Sequence, residues 1–199
     1  MNSSFTLGLT GPTGAGKSLA AEFLRKNGFK IIDADAVSRS LTAEGSPVLQ
    51  ELAQAFGNEL LTPSGGLNRR LLASIVFNNA AALQRLNGIL HPKIMERIKA
   101  ELTQAVPCVI DAPLLLEAKA DELCNAVLAV VAPPELRLKR IMLRDSLSRE
   151  EALKRMGTQQ EAEYYISKAD YYIINNGDEE YLYSELSRLI TKISLSKNQ

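Results

Sequence analysis

Histidine is nearly missing from this chain of 199 residues. His91 stands alone, so neither a histidine-based nucleophilic triad nor a multi-histidine metal centre has enough members. Cysteine is almost as scarce. Cys108 and Cys124 allow at most one bridge and lack the CxxC spacing of metal and redox sites; both are expected to be buried thiols of a reducing compartment. Net charge is missing too. Lys+Arg 23 against Asp+Glu 23 leaves a formal +0, which supplies no global field toward nucleic acid or an anionic membrane. A polyanion must be met by a local arrangement. No run approaches the ~18 apolar residues of a spanning helix, and the start, MNSSFTLGLTG, has no basic segment ahead of its apolar stretch and no small-residue cleavage pattern. The expectation is a cytoplasmic protein with no membrane and no nucleic-acid partner. Repeats and low-complexity segments are absent. What remains, 46% hydrophobic and 23% charged residues, is an ordinary globular composition, and the length suits one domain with room for an inserted lobe.

Five short β-branched or aliphatic segments stand apart, at Phe5 to Thr10, Phe29 to Asp33, Cys108 to Ala112, Ala126 to Val131 and Tyr171 to Ile174. Continuous apolar runs of this kind are the pattern of strands buried on both faces of a parallel sheet. A helical stretch, Ser18 to Lys26, follows the first of them and Gly28 closes it, which gives the opening strand, loop, helix, strand of an α/β fold. Residues 34 to 107 are too many for one crossover helix. Ser46 and Pro47 start a helix to about Phe56 and Gly57 ends it; Leu67 to Phe77 and Ala80 to Leu90 follow; His91-Pro92 restarts the chain into Lys93 to Leu102. Beyond the fourth strand a helix begins at Glu135, with Arg137, Arg140 and Arg144 spaced to share one face. Capping boxes are read at Ser148 with Glu151 and at Thr158 with Glu161, Asp178 caps a last helix to about Ser194, and a frayed polar tail ends the chain.

Residues 11 to 18 read GPTGAGKS, a full match to G-x-x-x-x-G-K-[ST]. A match arises by accident in a chain of this length at a frequency on the order of one per cent, and its place between a strand and a helix strengthens it. Gly11, Pro12, Thr13, Gly14, Ala15 and Gly16 would cradle phosphates with backbone N–H groups at a positive helix end. Lys17 would reach the β- and γ-phosphates, and the Ser18 hydroxyl would hold Mg²⁺. The motif leaves several functions open. A GTPase switch lacks support, because SKAD at 167 to 170 precedes the fifth strand and no Asp-x-x-Gly follows the third.

Acidic residues fall where the sheet's carboxyl edge should lie. Asp33 and Asp35 end the second strand segment, and Asp33 is favoured as the group facing the chemistry, with a helix N-cap as its bland alternative. Asp111 ends the third in the manner of a Walker B acid, able to support Mg²⁺ through water or to hold a loop. Arg140, Arg144 and Arg155 fall where small phosphate-transferring enzymes keep a closing lid, although Glu135, Asp145, Glu150, Glu151 and Glu161 nearby also allow a solvated, ion-paired face. His91 is either a helix start or a ligand contact in the inserted lobe.

Together these residues resemble the dephospho-CoA kinase family over nearly the whole chain. The resemblance rests on GLTGPTGAGKS at 8 to 18, DAD at 33 to 35, LNRRLLASIVF at 67 to 77, HP at 91 and 92, and DAPLLLE at 111 to 117. RLKRIMLRD at 137 to 145, RMGTQ at 155 to 159, and AD with NNG at 169 to 177 complete it. It implies a P-loop kinase core with a five-stranded parallel sheet flanked by helices, a helical CoA-binding lobe and a short lid. The core would span about 1–36, 104–135 and 166–199, the lobe about 37–103 and the lid about 136–165. The implied activity is ATP-dependent phosphorylation of the ribose 3′-hydroxyl of dephospho-CoA, with Mg²⁺, by a monomer or weak homo-oligomer. Asp33 would be general base, Lys17 and Ser18 phosphate and metal contacts, Arg140 a lid contact to phosphate and Asn175 a neighbour of the adenine. Thr10, Asp33, His91, Leu114 and Glu117 would meet the acceptor. Pro12-Thr13 and Ala15 depart from the commoner Gly-Ile and Ser at unspecified loop positions, and the proline removes one N–H. Another small P-loop kinase acting on a nucleoside or nucleotide, and a nucleotide-dependent binding switch, remain the alternatives.

Overall fold

A computed structural model describes residues 5–77, 79–102 and 106–196. The chain divides into two compact units, Met1–Ile32 with Gln104–Gln199, and Asp33–Thr103.

The first unit is built on a five-stranded parallel sheet of β1 (Thr6–Thr10), β2 (Lys30–Asp33), β3 (Cys108–Asp111), β4 (Ala126–Val131) and β5 (Tyr171–Ile174), in the order β2-β3-β1-β4-β5. Every residue of β1 and of β4 is buried, as their unbroken apolar character requires. Leu7 and Leu9 face a core shared with Leu24, Leu128, Val130, Leu182 and Leu186, where α1 (Lys17–Lys26) and α9 (Glu179–Ser196) pack. On the opposite face a Cβ at Gly8 would meet Leu115 Cδ2 at 2.7 Å and Cys124 Sγ at 2.9 Å. Helices α6 (Pro134–Asp145), α7 (Arg149–Met156) and α8 (Ala162–Lys168) fill the stretch between β4 and β5.

The second unit holds α2 (Ala34–Leu41), α3 (Val48–Phe56), α4 (Arg69–Val76) and α5 (Ala80–Glu101) around Val48, Leu49, Leu52, Leu60, Leu72 and Leu86. Arg85 lies over the Phe56 ring at 5.7 Å from its centroid.

All five strand segments form where the sequence places them, but five local expectations are corrected. His91-Pro92 does not restart the chain: α5 is continuous through Pro92. A proline costs a helix the single bond from its own nitrogen and crowds one carbonyl, while Leu86 and Ile98, buried on either side of it, hold the helix together. The strand stops at Asp33, so Asp35 lies in the first turn of α2 and not on the sheet edge. Of the two capping boxes only Ser148 with Glu151 forms. Thr158 donates instead to Arg155 O at 2.8 Å, because α8 begins at Ala162, too far along for Thr158 to cap it. Leu67 pairs with Leu61 as an isolated bridge, and α4 starts after it, capped by Asn68. Cys108 is buried, whereas Cys124 is only partly so. Its thiol is nevertheless pushed up to about 12 by burial, then by Asp121 and Asp170. The last helix runs to Ser196, capped by Asp178 through the Tyr181 N–H at 2.9 Å, and the tail residues 197–199 lie outside the described residues.

Candidate nucleotide site

The loop after β1 turns through Gly11, Gly14 and Gly16 at φ of 140, 77 and 106. At Gly11 glycine is compulsory on a second ground: a Cβ there would lie 2.0 Å from the Val130 carbonyl oxygen. Pro12 is buried and its carbonyl accepts from Ala15 N–H at 3.2 Å. Among the described residues, the backbone N–H groups of Gly14, Gly16, Lys17 and Ser18 meet no protein acceptor. No acidic residue lies in the first turn of α1, and no side chain caps it. Unpaired donors at a positive helix end, with no carboxylate competing for them, form an anion-binding cradle.

In front of the cradle Lys17 Nζ pairs with Asp111 Oδ1. The parallel register of β1 and β3 sets Leu9 beside Asp111, which brings the acid to the loop. The Ser18 side chain is exposed at the first turn of α1.

Behind the cradle stands the arginine face of α6. Arg137 is 5% exposed and donates from Nε to Thr13 O at 2.9 Å. Arg144 Nη2 reaches Thr13 Oγ1 at 3.3 Å, and Thr13 N–H donates to Gln159 Oε1 at 2.9 Å. Thr13 is thereby held through its amide, its carbonyl and its hydroxyl by the segment between β4 and β5. Arg140 is engaged with carbonyls of the loop and its surroundings: Gly14 O at 3.4 Å, Asn175 O at 3.4 Å and Gly177 O at 3.0 Å. Arg140 thus braces the loop through these carbonyls. Asn175 braces the loop likewise. It is 1% exposed, its Nδ2 donates to Ala15 O at 2.8 Å, and it supports the loop from within. Arg155 pairs with Asp145, as does Arg144. The Asp145 carboxyl is held below its ordinary value chiefly by the Arg144 hydrogen bond, with Arg155 adding to it.

The remaining expected residues differ in availability. Thr10 is fully buried, and its hydroxyl lies 3.4 Å from Pro113 O in the turn after β3. Leu114 is 58% exposed and Glu117 is exposed. In the second unit Asp33 caps α2, accepting from Ala36 N–H at 2.9 Å, and leaves an exposed carboxylate with Arg39 Nη2 3.5 Å from Oδ2. The helix-cap alternative for Asp33 is thus realised and still leaves the group accessible. His91 is half-buried within α5 and makes no hydrogen bond among the described residues. Sequence reasoning missed Gln159 and the buried part of Arg137. The shared face with Arg140 and Arg144 was the signal for Arg137, and the RMGTQ stretch at 155 to 159 the signal for Gln159.

Comparison with known proteins agrees with this geometry. Residues 5–180 match the family model described as dephospho-CoA kinase. A dephospho-CoA kinase of Moorella thermoacetica is 43% identical over 180 residues, covering 87% of this chain and 85% of that protein. The crystal structure of a Thermus thermophilus protein superposes with a TM-score of 0.81 at 32% identity, covering 97% of each chain. The dephospho-CoA kinase from Campylobacter jejuni does so with a TM-score of 0.70 at 31% identity, covering 96% of this chain and 98% of that one.

Proposed function

The chain belongs to the dephospho-CoA kinase family, and from that we infer that it is the enzyme that phosphorylates dephospho-CoA with ATP in coenzyme A biosynthesis. The observation that carries the reading is the phosphate loop with its unpaired N–H groups at Gly14, Gly16, Lys17 and Ser18. These donors hold the triphosphate, and the Lys17 ammonium, kept in place by Asp111, lies ready to stabilise charge on the transferring group. The acceptor is the ribose 3′-hydroxyl. Its oxygen attacks the γ-phosphorus in line, the bond from that phosphorus to the β,γ-bridging oxygen breaks, ADP leaves, and the hydroxyl proton passes to the Asp33 carboxylate. His91, Leu114 and Glu117 contact the acceptor.

The donor set fits Mg²⁺. No group of three or more His, Cys, Asp or Glu that could hold a metal occurs among the described residues, which suits a cation bound mainly by phosphate oxygens and water. Ser18 through its hydroxyl and Asp111 through water would hold it, and when bound it neutralises charge on the β- and γ-phosphates. No helix among the described residues is long and apolar enough to cross a membrane, and the cytoplasm is the compartment we propose.

Release of ADP, followed with and without dephospho-CoA, tests the function. We expect release to depend on the acceptor; hydrolysis indifferent to it would indicate a nucleotide switch. Asp33→Asn is expected to lower turnover by about 10²-fold or more while ATP still binds. Near-normal turnover by that variant would remove Asp33 from the base role.

A further inference from the structure

Arg137 differs from its neighbours on α6. Arg144 has a carboxylate partner in Asp145, and Arg140 places its guanidinium on carbonyl oxygens of Gly14, Asn175 and Gly177. Arg137 is the buried one, and its only side-chain hydrogen bond among the described residues runs from Nε to Thr13 O at 2.9 Å. Its Nη2 is buried without a partner, and no carboxylate among the described residues pairs with it. Burial works against its charge, with the Tyr165 phenol as the one group acting in the other direction.

An unpaired cation inside a protein is unfavourable, and a single carbonyl dipole offsets only part of the desolvation. The place of this cation gives the reason it is kept. The backbone of Arg137 abuts the phosphate loop so closely that a Cβ at Gly14 would fall 2.8 Å from its carbonyl oxygen and 3.1 Å from its Cα. Its guanidinium is fixed to the peptide of Thr13, in the same loop that carries the open N–H groups of the cradle. A charge held in this position needs no side-chain ordering when the ligand arrives, and its burial limits screening by water.

We propose that Arg137 is a positioning residue for the nucleotide's polyphosphate: a fixed, buried positive charge behind the loop that the free protein leaves uncompensated and that the bound triphosphate compensates. The inference rests on the nucleotide reading of the loop. It separates the stability of the free protein from ligand affinity. The charge weakens the free protein and strengthens the complex, whereas an arginine kept for packing would strengthen both.

The test compares the unsubstituted chain with Arg137→Met and Arg137→Lys, measuring the thermal midpoint of the free protein and calorimetric Kd values for MgATP and for uncharged adenosine. Met is expected to leave the free protein as stable or more so, to weaken MgATP by about tenfold, and to leave adenosine unchanged. Lys, which keeps the charge, is expected to stay within about threefold for MgATP. Equal MgATP affinity for Met and the unsubstituted chain would overturn the proposal, as would a loss that falls on MgATP and adenosine alike or a free protein destabilised by Met. Should Met fail to fold, the Lys variant decides alone, near-normal affinity supporting the charge and a tenfold loss refuting it. Failure of the unsubstituted chain to bind MgATP would instead overturn the nucleotide reading itself, and this inference with it.

Discussion

The phosphate loop and the helical second unit are built by opposite means. The loop works mainly with backbone: its donors are amides, its shape comes from glycines at positive φ, and backbone sets the clearance at two of these, Val130 O against Gly11 and Arg137 O against Gly14, with the Asn175 side chain setting it at Gly16. The second unit works with side chains on helices around an apolar cluster. Its glycines Gly45 and Gly65 also have positive φ, yet nothing lies within 4 Å of a Cβ added to either. A backbone site has one solution and no rotamers with which to absorb a change. A helical lobe can be retuned residue by residue while its core stays intact.

The largest effect that could break this contrast comes from a pair of equal substitutions. Gly11→Ala drives a methyl into a carbonyl oxygen on the central strands and is expected to cost at least about 3 kcal/mol, while Gly45→Ala meets only left-handed strain, about 1 kcal/mol. Equal losses in urea denaturation would dissolve the distinction. Next in size is Pro92→Ala. It restores the missing bond inside α5 and is expected to raise stability by about 1–2 kcal/mol, the helical gain being partly offset by a freer unfolded chain. A loss of stability would mean that Pro92 is required by the packing around α5. The smallest effect is on acidity. The Asp145 and Glu151 carboxyls are held below their ordinary values of 3.8 and 4.5, the first chiefly by Arg144 and the second chiefly by Ser148. A folded-state pKa below the unfolded one stabilises above the ordinary value, and that contribution disappears as pH falls through the folded value. Glu151 is exposed and Asp145 half-buried, so solvent screens much of either contribution. The double variant Asp145→Asn, Glu151→Gln should show a shallower fall in urea midpoint between about pH 6 and about pH 3 than the unsubstituted chain, and parallel curves would contradict it.

What could be read from the sequence follows the same division. Strands buried on both faces, such as Ala126–Val131, announce themselves as apolar runs, and the loop is a local pattern of residue types with a local geometric cause. α5 was misread because a proline is a local signal, whereas Leu86 and Ile98 hold that helix through contacts that only the folded chain contains. The shared face of Arg137, Arg140 and Arg144 was legible from spacing alone. Its targets were not, since nothing in the order of residues says that α6 backs onto the phosphate loop and takes up its carbonyls. The same holds for Asn175, whose buried amide meets Ala15, 160 positions away in sequence. At Asp33 the helix-cap reading is realised through Oδ1, while Oδ2 belongs to an exposed carboxylate and lies 3.5 Å from Arg39 Nη2.

The central claim is that the amides of Gly14, Gly16, Lys17 and Ser18 form a polyphosphate cradle with Lys17 as its cation. Calorimetric titration with MgATP tests it most directly: the folded chain should give a saturable heat that Lys17→Ala weakens by about tenfold or more. No heat up to about millimolar nucleotide, where binding free energies fall to about 4 kcal/mol, would contradict it, as would identical isotherms for the chain with and without Lys17.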